Sequence, residues 1–375
     1  MLHYALFALI VLAVLCYMDW QVRRVFSFYG IGRKKWYITC FRAVLFLCFA
    51  LLITLWPPGI VIAIHFLGVF IITNLIEVII KRFYRHRQAD NEKSGWFWKF
   101  LCHGGILQVL AVFLMLGYGY CNVGHIDRTE YIIETDKISD DYRIVFISDT
   151  HYGTVQNPAV LQELMAEIGT LEPDFIVLGG DIVEGGTSKE SMEEVFYMMG
   201  KLDSRYGIYY VYGNHDRQED REQRGFTDQE LEQTITDNGI IIIKDEYAEI
   251  GDDLILAGRD DVGYYEKRER LPVEEILEGA DCERYIIMLD HQPVETAVNG
   301  EAGADLQLSG HTHAGQAFPA GLLMRVMGMP CYGEYQMNDC KLIVSSGASV
   351  GVFPIRTEKH CEYVVIELKK IPASN

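Results

Sequence analysis

The chain has 375 residues, of which half are hydrophobic, and this length allows two domains. Residues 1–125 carry 12 Lys and Arg against 4 Asp and Glu, a net +8, whereas the remainder carries 21 against 48, a net −27. A domain at −27 repels a nucleic-acid backbone, so the charge argues against nucleic acid as a partner and favours divalent cations near this part of the chain.

Four apolar runs in the N-terminal third predict an α-helical membrane domain of about four spans, at residues 1–125. The runs cover about 2–18, 37–56, 60–80 and 100–121, and Pro57-Pro58-Gly59 breaks the chain between the second and the third. We expect the first run to be retained as a span, because Arg23 and Arg24 follow it, whereas a signal peptide places its positive charge before the apolar stretch.

Basic residues lie between the first two runs and between the last two. They are Arg23, Arg24, Arg33, Lys34, Lys35, Lys81, Arg82, Arg85, Arg87 and Lys93. Positive loops face the cytoplasm, so residue 122 onward is expected on the extracytoplasmic side, in a bacterial cell membrane. His65, Asn74 and Glu77 within the runs suggest a proton or ion path, but hydrogen bonds between helices explain them better.

Residues 126–375 alternate short β-rich runs with amphipathic helical patterns, which predicts an α/β domain. Strand-like runs are 143–148, 175–178, 208–212, 285–289 and 306–308, and helical patterns are 158–168, 188–202 and 228–238. Four cysteines lie in this part without CxxC spacing, at Cys282, Cys331, Cys340 and Cys361, so a zinc knuckle has no support and a disulfide stays open.

Each strand-like run is followed by residues that can bind a metal. The clusters are Asp149-Thr150-His151, Gly180-Asp181, Gly213-Asn214-His215-Asp216, His291 and Gly310-His311-Thr312-His313. Ligand sites of open α/β sheets form at the carboxyl ends of strands, where loops converge. Five of the six histidines in this part fall in these clusters, and only His360 stands apart. This distribution indicates one shared site rather than ordinary core packing.

Carboxylate, imidazole and one amide together suit Mn²⁺, Fe or Zn²⁺ better than Ca²⁺ or Mg²⁺, which prefer oxygen ligands alone. Seven candidate ligands exceed what one tetrahedral site needs, so two metals about 3.5–4 Å apart are expected, with Mn²⁺ as the first choice. A pair of metals with a bridging carboxylate and hydroxide is suited to the displacement of phosphate esters.

The motifs D-T-H, G-D, G-N-H-D, a later His and G-H-T-H, in this order, resemble the calcineurin-like metallophosphoesterase superfamily over about residues 140–368. The phrases LSGHTHAGQ, GDIVE and SSGASVGVFPIR are similar to its membrane-anchored bacterial YkuE-like branch. The resemblance implies two mixed β-sheets packed face to face with helices outside, in a domain at residues 126–375.

The resemblance also implies roles for these residues. Asp149, His151 and His313 would bind the first metal, Asp181 would bridge, and Asn214, His291 and His311 would bind the second. His215 would lie over the substrate as a catalytic residue, and Asp216 would orient the histidine or the loop. Two positions depart from the pattern of the branch, Ala314 and Glu184, and they put the substrate in doubt rather than the metals.

The expected reaction is in-line attack on phosphorus by a metal-bridging hydroxide, without a covalent enzyme intermediate. Membrane anchoring favours lipid-linked or envelope phosphodiesters or pyrophosphates as substrates. The apolar, Met-rich stretch Leu322–Met329 could enter the membrane interface or hold an acyl chain, and an ordinary packed loop is an equal alternative.

Three other functions stay open from the sequence. The chain could be a phosphomonoesterase acting on a soluble substrate, or a catalytically weak, metal-dependent sensing module. It could also be a transporter with an attached domain, although the apolar runs hold few charges that would form a pathway.

Overall fold

The computed structural model describes residues 2–31, 39–44, 46, 47, 51, 58–84, 100, 101, 103–219, 221–263, 268–351 and 353–371. The chain divides into two compact units. One contains Met1–Tyr118 with Ala317–Pro319, and the other contains Gly119–Gln316 with Ala320–Asn375.

The first unit is helical, with α1 (Leu2–Phe28), α2 (Pro58–Tyr84) and most of α3 (Ile106–Val123). In the described part of the chain, two helices are long and apolar enough to cross a membrane, at Gly59–Ile80 and Ile106–Val123, judged by length and composition alone. They coincide with the third and fourth predicted runs.

The first predicted run lies in α1, which is not one of these two helices. Only residues 39–44, 46, 47 and 51 of the second run are described, and most of the basic loop residues lie outside the described residues, so four spans stay a prediction. Within this unit the side chain of Arg24 contacts both Asn74 and Glu77, as expected for hydrogen bonds between helices.

The second unit contains two six-stranded mixed sheets. Its strands are β1 (Ile126–Thr135), β2 (Tyr142–Ile147), β3 (Phe175–Leu178), β4 (Ile208–Tyr210), β5 (Ile240–Ile242), β6 (Glu246–Ile250), β7 (Leu254–Gly258), β8 (Tyr285–Leu289), β9 (Leu306–Ser309), β10 (Gly333–Met337), β11 (Cys340–Val344) and β12 (Cys361–Lys370). The strand orders are β1-β12-β2-β3-β4-β5 and β10-β11-β9-β8-β7-β6. In the centres of both sheets, β2 to β5 and β7, β8, β9 and β11 run parallel.

Helices connect these strands: α4 (Pro158–Ile168), α5 (Lys189–Met199), α6 (Asp228–Asp237), α7 (Val273–Ile276), α8 (Thr296–Glu301) and α9 (Ala320–Val326), with a 3₁₀ turn at His313–Gly315. Local sequence sets where they begin. The side chain of Asn157 caps α4 before Pro158, and Thr227 and Glu230 form a capping box at α6.

Side chains of β2 alternate between its two faces, and this alternation shows how the layers pack. Ile144 and Phe146 face the core between the two sheets, which also includes Leu256 and Leu308 from the second sheet. Val145 and Ile147 face the opposite way, into the core that helices α4 to α6 cover. A third core lies between the second sheet and α7. The layers are therefore helix, sheet, sheet and helix, which confirms the two packed mixed sheets.

The predicted strands and helices of this unit are confirmed with shifts of a few residues at their ends. The four cysteines that the sequence left open, Cys282, Cys331, Cys340 and Cys361, are free thiols.

Candidate metal centre

All seven predicted metal ligands follow strands of the two sheets, as the sequence indicated. Asp149 and His151 follow β2, Asp181 follows β3, Asn214 follows β4, His291 follows β8, and His311 and His313 follow β9. Parallel strands place their carboxyl ends on one edge, so the loops of both sheets can meet there.

Asp149, His151 and His313 form the first group of side chains that could hold a metal ion, with ligand atoms within 4.8 Å of one another. The two imidazole Nε2 atoms of His151 and His313 are 3.2 Å apart. Asp149 Oδ1 lies 3.6 Å from His313 Nε2. Two nitrogen atoms and one carboxylate oxygen therefore converge on one small space.

Asp181, His291 and His311 form the second such group. His291 Nε2 lies 3.1 Å from Asp181 Oδ2, and Asn214 Oδ1 lies 2.7 Å from His311 Nδ1. Asp181 Oδ2 is also 4.0 Å from His151 Nε2 in the first group. The carboxylate of Asp181 thus lies between the two groups.

The donor atoms fit divalent ions. The Nδ1 of His291 lies 2.8 Å from the carbonyl oxygen of Gly179, which only accepts, so this nitrogen carries a proton. In the neutral ring, Nε2 is then a lone pair facing the Asp181 carboxylate oxygen, an arrangement that a divalent cation between the two atoms would satisfy. Metal–ligand bonds of about 2.0–2.2 Å place two ligands of one ion about 3–4 Å apart, which matches the distances in both groups.

Electrostatics in the two groups differ. Burial lowers the pKa of His311 to about 4 and that of His313 well below its usual range, so both rings offer lone pairs at neutral pH. Burial also disfavours charge on His291, but the carboxylates of Asp181, Asp149 and Asp261 together outweigh it and raise the His291 pKa. Burial raises the pKa of Asp181, but His291, His215 and His151 together lower it further, so the carboxylate stays ionised.

His215 lies beside the two groups without belonging to either. Its ring is partly exposed and lies edge-on to the ring of His151, with centroids 5.4 Å apart. Its backbone N–H donates to Asp181 Oδ1 at 2.8 Å. A partly exposed imidazole at this position can reach a ligand that the two groups bind.

Asp216 is fully buried and accepts three backbone hydrogen bonds, from Asp181 N at 2.8 Å, Val183 N at 3.1 Å and Gly213 N at 2.6 Å. Burial and the charge of Asp181 raise its pKa. The carboxylate ties the loop after β3 to the loop after β4. The sequence allowed Asp216 to orient either His215 or the loop, and these contacts favour orientation of the loop.

Close backbone approach explains the glycines of the motifs. A Cβ added at Gly213 would overlap Asp181 Oδ1, and one at Gly310 would overlap Asp149 Oδ2. Any larger residue at either position would displace a ligand carboxylate.

Five of the seven candidate ligands have left-handed backbone conformations. Their φ angles are 54° at Asp149, 42° at His151, 52° at Asp181, 67° at His311 and 49° at His313. Residues other than glycine rarely adopt such angles, which cost on the order of 1–3 kcal/mol each. Residues with these angles are common at functional sites.

Two positions that depart from the branch pattern lie close to this centre. Glu184 accepts a hydrogen bond from Thr154 Oγ1 at 2.5 Å, and its carboxylate is 3.8 Å from His151 Nδ1. Ala314 is buried and has a φ of 55° in the 3₁₀ turn. Both contribute to the geometry of loops that carry candidate ligands.

Sequence reasoning missed Arg356, whose side chain is fully buried. Its guanidinium donates to the carbonyl oxygens of His313, Ser346, Ser349 and His360 at 2.6–3.2 Å, and Nη2 lies 3.4 Å from His313 Nδ1. Arginine is rarely buried without many acceptors. The available signal was a single charge directly after the Gly-, Ser- and Val-rich run 345–355.

Comparison with known proteins gives one family-model match, described as calcineurin-like phosphoesterase, over residues 142–315. A transmembrane protein with metallophosphoesterase domain from Danio rerio is 28% identical over 83% of this chain and 71% of its own length. An uncharacterized metallophosphoesterase from Campylobacter jejuni is 29% identical over 70% of this chain and 68% of its own. The metallophosphoesterase YkuE of Bacillus subtilis is 26% identical over 68% and 90%.

Proposed function

We propose that this chain, which carries a calcineurin-like metallophosphoesterase domain, is a membrane-anchored phosphohydrolase that cleaves phosphodiesters or pyrophosphates of lipid-linked or envelope molecules. The match to this family over residues 142–315 supports a metal-dependent phosphoesterase, and relatives that align with about two thirds of the chain are described as metallophosphoesterases. The observation that supports the reaction is the position of Asp181 between two groups of metal-binding side chains.

In this proposal Asp149, His151 and His313 would hold the first ion, and Asn214, His291 and His311 would hold the second. Asp181, which lies between the two groups, would be the shared ligand. The mixture of nitrogen and oxygen donors favours Mn²⁺, with Fe or Zn²⁺ as alternatives. When bound, two such ions lower the pKa of water to supply the nucleophile and neutralise charge on the phosphoryl oxygens.

Two residues of the chain would orient the substrate and the loops and protonate the leaving group. The partly exposed ring of His215 lies over the edge of the centre and would donate a hydrogen bond to the phosphoryl group or a proton to the leaving oxygen. The Asp216 carboxylate accepts hydrogen bonds from the backbone N–H groups of Asp181 and Gly213, and so joins the loops that carry Asp181 and Asn214. No covalent enzyme intermediate is required, because the nucleophile comes from water.

Membrane anchoring is the second part of the proposal. It rests on the apolar helices Gly59–Ile80 and Ile106–Val123 and on the Danio rerio relative described as a transmembrane protein. The basic loops favour an extracytoplasmic position for the catalytic domain in a bacterial cell membrane. A tethered centre meets lipid-borne esters at high local concentration, which is why we place its substrates among them.

The test uses the purified full-length chain in detergent with Mn²⁺, assayed on bis(p-nitrophenyl) phosphate and on p-nitrophenyl phosphate. We expect faster cleavage of the diester, and faster cleavage of the monoester would favour a phosphomonoesterase. In Asp181→Asn, bound metal and turnover should fall together. In His215→Gln, metal content should stay at the parent level while turnover falls about 10²-fold or more.

Two outcomes would contradict the proposal. Parent protein that binds two metal ions per chain but cleaves neither ester would indicate a sensing module. Turnover by Asp181→Asn at the parent rate would show that a contaminating enzyme produced the signal.

A further inference from the structure

An apolar segment projects from the second unit directly after the candidate metal centre. We call residues Ala320–Met329 the apolar segment, and it consists of α9 and the turn that ends it. Five large apolar side chains on it are exposed: Leu322 at 47%, Leu323 at 54%, Val326 at 77%, Met327 at 65% and Met329 at 48%. A surface helix normally turns such residues toward the core, and this one turns them outward.

The segment is an ordered feature of the fold. Its turn closes with a bond from Met329 N to Met324 O at 2.9 Å, across Gly328 at a φ of 73°. At its start, the backbone N–H groups of Gly321 and Leu322 both donate to the carboxylate of Glu358. These bonds fix the helix so that its apolar side chains stay exposed.

The base of the segment also packs against the loop that carries two candidate ligands. Gly321 lies so close to Gly315, the end of the turn after His313, that a Cβ at Gly315 would overlap the Gly321 backbone. Thr312, between His311 and His313, donates to the carbonyl oxygen of Cys331 at 2.6 Å, just after the segment. The exposed apolar side chains are thereby held next to the candidate metal centre.

Charge identifies what this surface can bind. Arg325, which is exposed, is the one charged residue between His313 and Glu334, in a part of the chain that carries a net −27. The segment itself holds one cation and no acid, and the Glu358 carboxylate at its base accepts backbone N–H groups. Such an apolar surface complements a bilayer with anionic headgroups. A second copy of this acidic domain would instead bring like charges together.

We propose that the apolar segment docks on the lipid bilayer, with Leu323, Val326 and Met327 at the boundary between headgroups and acyl chains. Docking there holds the His311–His313 loop against the membrane surface, so that the centre acts on phosphate esters in the bilayer. The choice of substrate rests on the proposed function, whereas the docking itself does not.

Docking is tested by photo-crosslinking of the full-length chain in vesicles of equal parts phosphatidylcholine and phosphatidylglycerol with a trace of fluorescent lipid. Val326→p-benzoyl-phenylalanine should take up fluorescent lipid at least fivefold more than the same substitution at Ile132 or Tyr197. These controls are exposed by 68% and 56%, respectively, in the same unit. Equal labelling at the three positions, or crosslinks from position 326 to a second protein chain, would overturn the proposal.

The effect on substrate is tested with the double variant Leu323→Ser and Met327→Ser. Its KM for a diacylglyceryl p-nitrophenyl phosphodiester in vesicles should rise about tenfold, while cleavage of bis(p-nitrophenyl) phosphate stays at the parent rate. Val298→Ser, at another exposed apolar position, is the matched control and should change neither value. Equal losses on both esters in the double variant would show that the segment only supports the fold. A parent protein that cleaves neither ester would refute the proposed function, and the crosslinking result would still decide docking.

Discussion

Removal of the buried guanidinium of Arg356 should weaken both the fold and the first metal site. Arg356 donates to four backbone carbonyls, and in Arg356→Met these lose their donor. The carbonyl of His360 keeps a hydrogen bond from the Ser346 hydroxyl at 2.7 Å, and that of His313 keeps one from the Gln316 N–H at 2.8 Å, which leaves the carbonyls of Ser346 and Ser349 without a donor among the described residues. At a net of about 1 kcal/mol for each of these two bonds, the free energy of unfolding should fall by roughly 2 kcal/mol.

A loss of this size predicts a fall in Tm of roughly 4–8 °C for a domain of this length. Both the carbonyl and the ring of His313 lose their contact with the guanidinium, so the ring loses support that positions it for a metal. Loss of such support typically reduces metal affinity by about 10–100-fold. Thermal denaturation and competition with a chelator measure the two effects separately.

Arg325→Met is the matched control, because Arg325 is exposed and should leave both values unchanged. Arg356→Lys should fall between the parent and Arg356→Met, since an ammonium group has three donors against the five of guanidinium. If the Tm of Arg356→Met lies within about 2 °C of the parent, the hydrogen bonds of the guanidinium do not stabilise the fold as we expect. A lower Tm with parent metal affinity would limit Arg356 to a structural role.

Three further changes test other contacts. Asp216→Asn replaces a carboxylate that accepts three backbone hydrogen bonds, so thermal denaturation should show a loss of about 2 kcal/mol and elemental analysis a lower metal content. Gly213→Ala places a methyl group against Asp181, and diester cleavage should fall at least tenfold while far-UV circular dichroism stays unchanged. The Glu362 carboxylate, 3.6 Å from His360 Nε2, raises the pKa of His360, so protonated His360 stabilises the fold at low pH. The Tm advantage of the parent over His360→Gln should therefore be largest near pH 6 and disappear as pH rises through the raised pKa; an advantage that grows with pH would contradict it.

Much of the catalytic unit could be predicted from the sequence because its signals are local. A short β-rich run that ends in Asp, His or Gly-Asn-His identifies both a strand and its carboxyl end, as at Asp149 and Asn214. Parallel strands place those ends on one edge, so the convergence of distant residues follows from the strand pattern. The candidate ligands lie where this reasoning expects them.

Contacts that depend on tertiary packing could not be predicted in this way. Arg356 lies 43 positions beyond His313, and no periodicity links them before the chain folds. The sequence allowed two roles for Asp216, and the three amides that surround its carboxylate are visible only in the structure. The number of membrane spans stays a prediction, because hydropathy marks apolar runs but does not establish that each crosses a bilayer.

The left-handed backbone at five of the proposed ligands has a consequence for the protein as a whole. Glycine would adopt these angles at little cost but offers no ligand atom, so the chemistry obliges Asp and His to occupy them. The packing of the surrounding layers must therefore offset the conformational free energy of these five residues. Ions that bind these side chains in the folded state alone would add to its stability, so cation uptake and the stability of the fold would rise together.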